Sequence, residues 1–153
     1  MAFQSTKTYG HDLGLSACFR QWRASHSHCS LLHGYALSFK FIFECDALDD
    51  RNWCVDFGGL KWLKQQLIDH FDHKLVVAQD DPERAEFVRM HNAGLADVIF
   101  MEKVGCEAFA RFAFQLAERA LQRDAGLAPR VRVVSCECAE HGANSAIYIH
   151  EQK

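Results

Sequence analysis

The sequence predicts an α+β fold in which a four-stranded antiparallel sheet carries two main helices on one face, in the chain order β-β-α-(α)-α-β-β. Two observations support this prediction. Apolar residues alternate near both ends of the chain, the period-two pattern of a strand with one buried face. Between these ends, two segments repeat apolar residues at the spacing of an amphipathic helix. Strands at both ends with helices between them indicate an antiparallel sheet covered by helices.

Alternating apolar residues predict strands in four segments, residues 5–23, 35–45, 131–140 and 145–150. The second is the clearest, since Leu37, Phe39 and Phe41 are separated by single residues of the opposite face. Gly142 and Asn144 favour a turn between the last two strands. A sheet of four strands has two edges, so we expect subunits to assemble through them.

Helical periodicity appears over residues 58–71 and 106–123. In the first of these, Leu60, Leu63 and Leu67 fall on one face. A shorter helix is expected between them. Asp81 suits its N-cap, Pro82 its first position and Gly94 its end.

Composition points to one soluble domain over residues 1–153. Hydrophobic residues make up 49% of the chain and charged residues 24%, and the net charge is −3 with no basic block. Nucleic acid and anionic membranes are therefore not expected as partners. Seven cysteines without disulfide-scaffold spacing, and the lack of an apolar leader, favour a cytoplasmic location with free thiols.

Three histidines lie close together between the first two predicted strands: His26, His28 and His33. Imidazole is a preferred ligand of zinc, and three histidines plus a substrate or water make an open catalytic site. His26 and His28 would project the same way from an extended chain. The alternative is a polar loop with surface histidines.

Asp72 and His73 directly follow the first amphipathic helix. A histidine near neutral pH is the usual proton shuttle, and an adjacent aspartate can orient it. The alternative is that a cationic histidine merely interacts favourably with the C-terminus of the helix.

Glu140 stands at the end of the third predicted strand, just before the turn. A carboxylate there can accept two hydrogen bonds from the ring N–H and exocyclic amine of a heterocycle. A solvated surface glutamate is the alternative.

Taken in order, these segments resemble the pterin synthase family of the tunnelling fold, which includes 6-carboxytetrahydropterin and 6-pyruvoyltetrahydropterin synthases. The family pattern Cys-x-x-x-His-Gly-His is matched by residues 29–35, and Asp-Phe-x-x-Leu-Lys by residues 56–61. The pattern Leu-Asp-His-x-x-Leu is matched approximately around Asp72 and His73. Glu107 opens the second helix, and Glu140 lies eight residues before Tyr148, as in the family.

The resemblance implies a substrate of the 7,8-dihydroneopterin triphosphate type and a 6-carboxytetrahydropterin product, on the route to 7-deazaguanines such as queuosine. It implies a zinc ion as Lewis acid, Cys29 and the Asp72–His73 pair as proton-transfer groups, and Glu140 and Glu107 as substrate-binding residues. It also implies a homo-oligomer, a hexamer in the family.

The sequence departs from the family pattern in three places. Tyr35 stands where the family has the second histidine of His-Gly-His, which removes a standard zinc ligand. The segment before Cys29 is short, so we expect His26 and His28 to complete a three-histidine site with His33. Residues 77–104 form an insertion that is expected to act as a lid or in substrate choice. Its charged residues are candidates to meet a triphosphate, with solvated surface charges as the alternative: Arg84, Arg89, His91 and Lys103.

Three other functions remain open at this point. The first is the reaction of a 6-pyruvoyltetrahydropterin synthase, which eliminates triphosphate. The loss of a histidine at Tyr35 also fits a non-catalytic pterin- or purine-binding module without metal. A structural zinc protein is a third alternative, although three histidines without paired Cys-x-x-Cys make a poor closed site.

Overall fold

The computed structural model describes residues 1–151 as seven strands and three α-helices. The strands are β1 (Phe3–Tyr9), β2 (Leu15–Phe19), β3 (His33–Cys45), β4 (Lys74–Ala78), β5 (Val98–Met101), β6 (Val131–His141) and β7 (Asn144–Ile149). The helices are α1 (Lys61–Phe71), α2 (Arg84–Asn92) and α3 (Cys106–Gln122). Within residues 1–151, none of the helices has the length and hydropathy that crossing a bilayer would require.

The long strand β3 organises the sheet. Its first residues pair with β2 and its later residues with β1, both antiparallel, while β6 pairs along the other side. The strand order is β5-β4-β2-β3-β6-β7, with β1 beside the second half of β3. Phe39 and Phe41 are opposite Cys138 and Cys136, and all four side chains are fully buried.

The α+β class is confirmed, but the predicted four strands and the purely antiparallel sheet are wrong. Residues 5–23 form two strands, because the chain turns through a 3-10 turn that ends at Gly14, a residue with φ of 76°. Two further strands are present: β4 pairs in parallel with β2, and β5 pairs in parallel with β4. The sequence pattern did not predict these strands, because a run of four apolar residues such as 75–78 shows no alternation of apolar and polar residues.

The predicted insertion, residues 77–104, therefore extends the sheet rather than forming a separate lid. It supplies the end of β4, then α2 and β5, and the short helix expected there is present. The helix begins at Arg84, and Asp81 accepts a hydrogen bond from Glu83 N–H at 2.8 Å without being the N-cap. Gly94 lies just beyond the end of the helix with φ of 74°, as expected for a helix stop.

Successive residues of β4 contact different hydrophobic clusters. Val76 and Ala78 join the main core beneath α1 and α3, whereas Leu75 and Val77 pack with Phe87 of α2. Because successive strand residues point to opposite faces, α2 covers the face of the sheet opposite α1 and α3. The two main helices thus share one face, as predicted, and the third helix covers the other face at one end.

Candidate functional site

A pocket of about 240 Å³ opens where β2 ends and β3 begins, beside the first turn of α3 and the β6–β7 turn. We call it the Cys29 pocket. Its lining residues are Phe19, Gln21, Cys29, His33, Gly105, Cys106, Glu107, Glu140, Asn144 and Ser145. Four residues that the sequence singled out, Cys29, His33, Glu107 and Glu140, thus meet in one place.

Cys29 is held by a single 3-10 turn, His28–Ser30. The Ser27 hydroxyl accepts a hydrogen bond from Cys29 N–H at 3.1 Å and so caps this turn. The carbonyl of Cys29 accepts a second hydrogen bond from Gln21 N–H at 2.8 Å. Because its backbone is fixed on both sides, the exposed Cys29 thiol has a defined position at the mouth of the pocket.

The loop that follows β2 is anchored to the insertion by a buried ion pair. Arg20 donates two hydrogen bonds to the Asp81 carboxylate, at 2.9 and 2.7 Å, and the Asp81 side chain is only 1% exposed. Burial alone would raise the pKa of Asp81, but hydrogen bonds from Arg20 and from Glu83 N–H lower it below its ordinary value. Arg20 also reaches the carbonyl of Ser30 at 3.5 Å, next to Cys29.

The neighbouring carboxylate of Asp80 holds the same loop from its other side. It accepts hydrogen bonds from Lys103 at 2.8 Å and from the Trp22 indole at 3.2 Å. Together, Asp80 and Asp81 show what the insertion does here: its turn after β4 supports the loop that carries Cys29.

The four charged residues proposed to meet a triphosphate all have partners within the chain. Arg84 donates to the carbonyl of Gln79 and lies over the Phe100 ring, and Arg89 pairs with Glu86. His91 accepts a hydrogen bond from Val98 N–H, and Lys103 pairs with Asp80. These contacts favour a structural role for the insertion over recognition of a phosphate chain.

The Asp80 contacts predict a pH-dependent contribution to stability. Hydrogen bonds from Lys103 and Trp22 lower the pKa of Asp80 to about 2. Since the folded pKa is depressed, this contribution is complete above about pH 4 and is lost as the pH falls toward 2. We expect Asp80→Asn to lower the melting temperature at pH 7, with a difference from wild type that shrinks below pH 4. Thermal unfolding across this range checks it, with exposed Asp50→Asn as the control. A difference that stays constant with pH would contradict it.

Gly105 shapes the floor of the pocket, directly before α3. Its φ of 108° lies in a region that side chains rarely adopt, and a Cβ there would overlap the amide nitrogen of Gln21. Gln21 is fixed in place by donating to the carbonyl of Val104 at 2.6 Å. Glycine is therefore required both by the backbone conformation and by the close approach of Gln21.

We expect Gly105→Ala to lower the free energy of unfolding by about 1–3 kcal/mol, the range for a residue forced into a sparsely populated conformation. Urea unfolding measures this directly. Gly142→Ala is the matched control, because a Cβ at that position meets nothing within 4 Å and its φ is unremarkable. Equal effects of the two substitutions would show that Gly105 is not under the constraint described.

Glu140 is placed in the pocket by an irregularity in the sheet. The β6–β7 register shifts between Ala139, opposite Ser145, and His141, opposite Asn144, so that Glu140 is left without a partner residue in β7. Such a bulge bends the strand locally and re-aims the side chain of the extra residue. Glu107 approaches the same pocket from the first turn of α3. The pocket is therefore bordered by two carboxylates.

Cys106 is a pocket residue that the sequence reasoning missed. It is the first residue of α3, is buried, and receives a hydrogen bond from the Cys138 thiol that lowers its pKa. The same hydrogen bond, together with burial, raises the pKa of Cys138. Its position directly after Gly105, at the start of an amphipathic helix, was the available signal, because helix N-termini stabilise thiolates.

Asp72 and His73 form the expected pair but lie outside the Cys29 pocket. The His73 ring nitrogen Nδ1 is 2.6 Å from Asp72 Oδ1, and the His73 side chain is 87% exposed. The parallel register between β2 and β4 places His73 level with Ser16, whereas the pocket begins at Phe19. Three strand residues separate these levels, roughly 10 Å.

The described residues do not fit the three-histidine zinc site that the sequence predicted. His26 and His28 are exposed and do not line the pocket that contains His33. Among residues 1–151, no group of three or more His, Cys, Asp or Glu side chains is arranged to hold a metal ion. The rings around His33 are instead those of Phe19 and Tyr35, each with its centroid 5.4 Å from the His33 centroid.

A family profile and one relative match this sequence over most of its length, and a second relative matches part of it. The profile of the 6-pyruvoyl tetrahydropterin synthase family matches residues 11–151. A 6-carboxy-5,6,7,8-tetrahydropterin synthase from Aquifex aeolicus is 27% identical over 125 residues, which cover 80% of this chain and 76% of that protein. A protein of the same name from Rickettsia conorii is 34% identical over 59 residues, covering 38% and 43% of the two chains.

Solved structures match the fold. An uncharacterized protein from Wolinella succinogenes has a TM-score of 0.81 at 20% identity, and 99% of each chain is covered. The 6-pyruvoyl tetrahydropterin synthase from Plasmodium vivax has a TM-score of 0.71 at 10% identity, again over 99% of each chain. At these identities the likeness shows the fold alone.

The fold and the pocket together define an α+β protein with a small, acidic, thiol-bearing site at the end of a mixed sheet. Within that class the profile match is decisive, and the chain belongs to the 6-pyruvoyl tetrahydropterin synthase family. The resemblance drawn from the sequence motifs is thereby confirmed, as is the fold that it implied.

Proposed function

We propose that this protein is a lyase of the pterin synthase type that converts 7,8-dihydroneopterin triphosphate to 6-carboxytetrahydropterin, on the route to 7-deazaguanines. The observation that carries the proposal is the meeting of Cys29, His33, Glu107 and Glu140 in one pocket. The name of the Aquifex aeolicus relative favours the 6-carboxy product over the 6-pyruvoyl product.

The carboxylates give the pocket its proposed selectivity. Glu140 and Glu107 present hydrogen-bond acceptors only, so they suit the ring N–H and exocyclic amine of a pterin. A small cavity of about 240 Å³ is sufficient for a bicyclic ring while the polar side chain of the substrate extends outward. We expect Glu140 to contribute most to binding of the pterin ring. The β-bulge leaves Glu140 without a partner residue in β7, and its side chain lines the pocket.

Proton transfer is assigned to Cys29 and His33. Nδ1 of His33 lies 2.7 Å from the carbonyl oxygen of Leu31, an arrangement that requires hydrogen on Nδ1. The other ring nitrogen, Nε2, is then free to accept a proton from the substrate. To Cys29, which lines the same pocket, we assign the exchange of a proton with the substrate side chain. We assign no step to zinc, because Phe19 and Tyr35, the rings beside His33, offer no nitrogen ligand for it.

A role for Asp72 and His73 requires a second copy of the chain. Within one chain the pair is exposed to solvent and separated from Cys29, so its contribution depends on contact with the pocket of a neighbouring subunit. We therefore propose a homo-oligomer, a hexamer by family resemblance, in which this contact is made. Light scattering of the purified protein measures the mass of the assembly.

The proposed function is tested by incubating the protein with 7,8-dihydroneopterin triphosphate and identifying the product by mass spectrometry. We expect 6-carboxytetrahydropterin from the wild type and little product from Glu140→Gln. Glu137→Gln is the matched control, because Glu137 lies on the same strand, outside the pocket-lining set. Triphosphate loss with a 6-pyruvoyl product would reassign the reaction to the other synthase type of the family. Unchanged substrate in every sample would contradict the proposal that the protein is an enzyme.

The second candidate function is a non-catalytic pterin- or purine-binding module without metal. The ring neighbours of His33 favour it, because Phe19 and Tyr35 supply no imidazole. Calorimetric titration with dihydroneopterin triphosphate separates this alternative from the enzyme. Binding that depends on Glu140, with no turnover and no effect of Cys29→Ala, would support the module.

A further inference from the structure

Three aromatic rings form a triangle: Phe19 and His33, which line the Cys29 pocket, and the neighbouring Tyr35. The centroid distances are 5.4 Å between Phe19 and His33, 5.4 Å between His33 and Tyr35, and 6.2 Å between Phe19 and Tyr35. The sheet sets this arrangement: Phe19 is opposite His33 in the β2–β3 register, and Tyr35 is two residues further along the same face of β3.

This triangle has the dimensions of a three-histidine zinc site. A zinc-bound imidazole nitrogen lies about 2.1 Å from the metal, so three rings on a tetrahedral zinc place neighbouring centroids roughly 5 Å apart. The three side chains thus occupy positions from which imidazoles would reach a common point. Only one of them, His33, is an imidazole.

The other two rings are poor replacements. The phenyl ring of Phe19 has no lone pair to donate, and Phe19 is 1% exposed and packs edge-on against Phe109. Tyr35 has only a phenol, which is not among the side-chain groups that zinc ordinarily binds. The exposed His26 and His28 do not line the pocket.

We infer that the pocket keeps the backbone frame of a three-ligand zinc site but binds no zinc at His33, and that two substitutions, Phe19→His and Tyr35→His, are sufficient to create zinc binding there. The inference rests on the geometry of the three rings and not on the proposed substrate. Phe19 then matters as much as Tyr35 in determining whether the site binds zinc, although the sequence pattern did not single out Phe19.

The experiment measures zinc directly. Wild type, Tyr35→His, the double variant F19H/Y35H and the triple variant F19H/Y35H/H33A are incubated with excess zinc, desalted, and analysed by elemental mass spectrometry. We expect well under one zinc per chain in the wild type, about one in the double variant, and loss of that zinc in the triple variant. Far-ultraviolet circular dichroism verifies that each variant is folded.

Two results would overturn the inference. One is a wild-type protein that retains about one zinc per chain and loses it in His33→Ala. The other is a folded double variant without zinc, which would show that the ring triangle is not a metal-site frame. If the double variant does not fold, the zinc content of the wild type and His33→Ala still decides the first point. Because metal content is measured without substrate, failure here is distinct from failure of the proposed reaction.

Discussion

Replacing Cys29 by alanine is expected to lower the turnover of dihydroneopterin triphosphate by roughly 10²–10⁴-fold, the contribution of a positioned proton-transfer group. The Cys29 thiol is exposed, and the backbone of Cys29 is fixed by hydrogen bonds with Ser27 and Gln21. Its removal should therefore eliminate a reactive group without disturbing the fold. Single-turnover kinetics measure the loss, and Cys18→Ala, a half-buried thiol outside the pocket, is the control.

The same variant tests whether sites form between subunits. If Cys29 and His73 act together from different copies, co-expression of Cys29→Ala with His73→Ala should restore activity. Random mixing in a symmetric assembly would restore about a quarter of the wild-type rate, because each site needs one intact residue from each of two subunits. Full activity of Cys29→Ala alone would contradict the proton-transfer role assigned to Cys29. No recovery of activity in the co-expressed protein would contradict the proposed contact between Cys29 and His73 of different subunits.

Phe109→Ala is expected to lower the free energy of unfolding by about 3–5 kcal/mol, the usual cost of emptying a buried aromatic position. The Phe109 side chain is 0% exposed. It packs edge-on against Phe19, at 5.0 Å between centroids, and against Phe71, at 5.2 Å. It therefore connects the inner wall of the Cys29 pocket to the end of α1, directly before Asp72.

Equilibrium urea unfolding measures the cost of this substitution. Phe109→Leu retains most of the apolar volume and is expected to lose clearly less stability. Phe57→Ala, at a side chain 45% exposed, is the control for loss of a phenyl ring outside the core. A loss at Phe109 no greater than that at Phe57 would show that the ring does not bridge the pocket and α1 as described.

The elements with a clear period were predictable from the sequence. Residues 35–45 and 106–123 correspond closely to β3 and α3, because one face of each is almost entirely apolar. The strands β4 and β5 were not predictable in this way. They are short, and β4 is buried on both faces, so hydrophobic alternation disappears.

The pocket residues also divide into those that were predictable from the sequence and those that were not. Cys29, Glu107 and Glu140 were identified by chain order, since a motif preserves spacing along the sequence. Phe19 could not be recognised, because its relation to His33 and Tyr35 exists only across the β2–β3 register. His26 and His28, predicted to join His33, do not line its pocket for a similar reason: nearness along a loop does not direct side chains toward one point. The Asp72–His73 hydrogen bond was foreseen, but its distance from the pocket follows from the parallel β2–β4 pairing.

Because β3 pairs with a strand on each side, hydrogen–deuterium exchange is expected to show whether a ligand occupies the Cys29 pocket. Residues 39–45 are hydrogen-bonded to β1 on one side and to β6 on the other, so their amide protons should exchange with solvent only on global unfolding. The loop at residues 20–32 is held by a few hydrogen bonds and should exchange through local opening. A ligand in the Cys29 pocket is then expected to slow deuterium uptake in this loop at concentrations where uptake in β3 is unchanged.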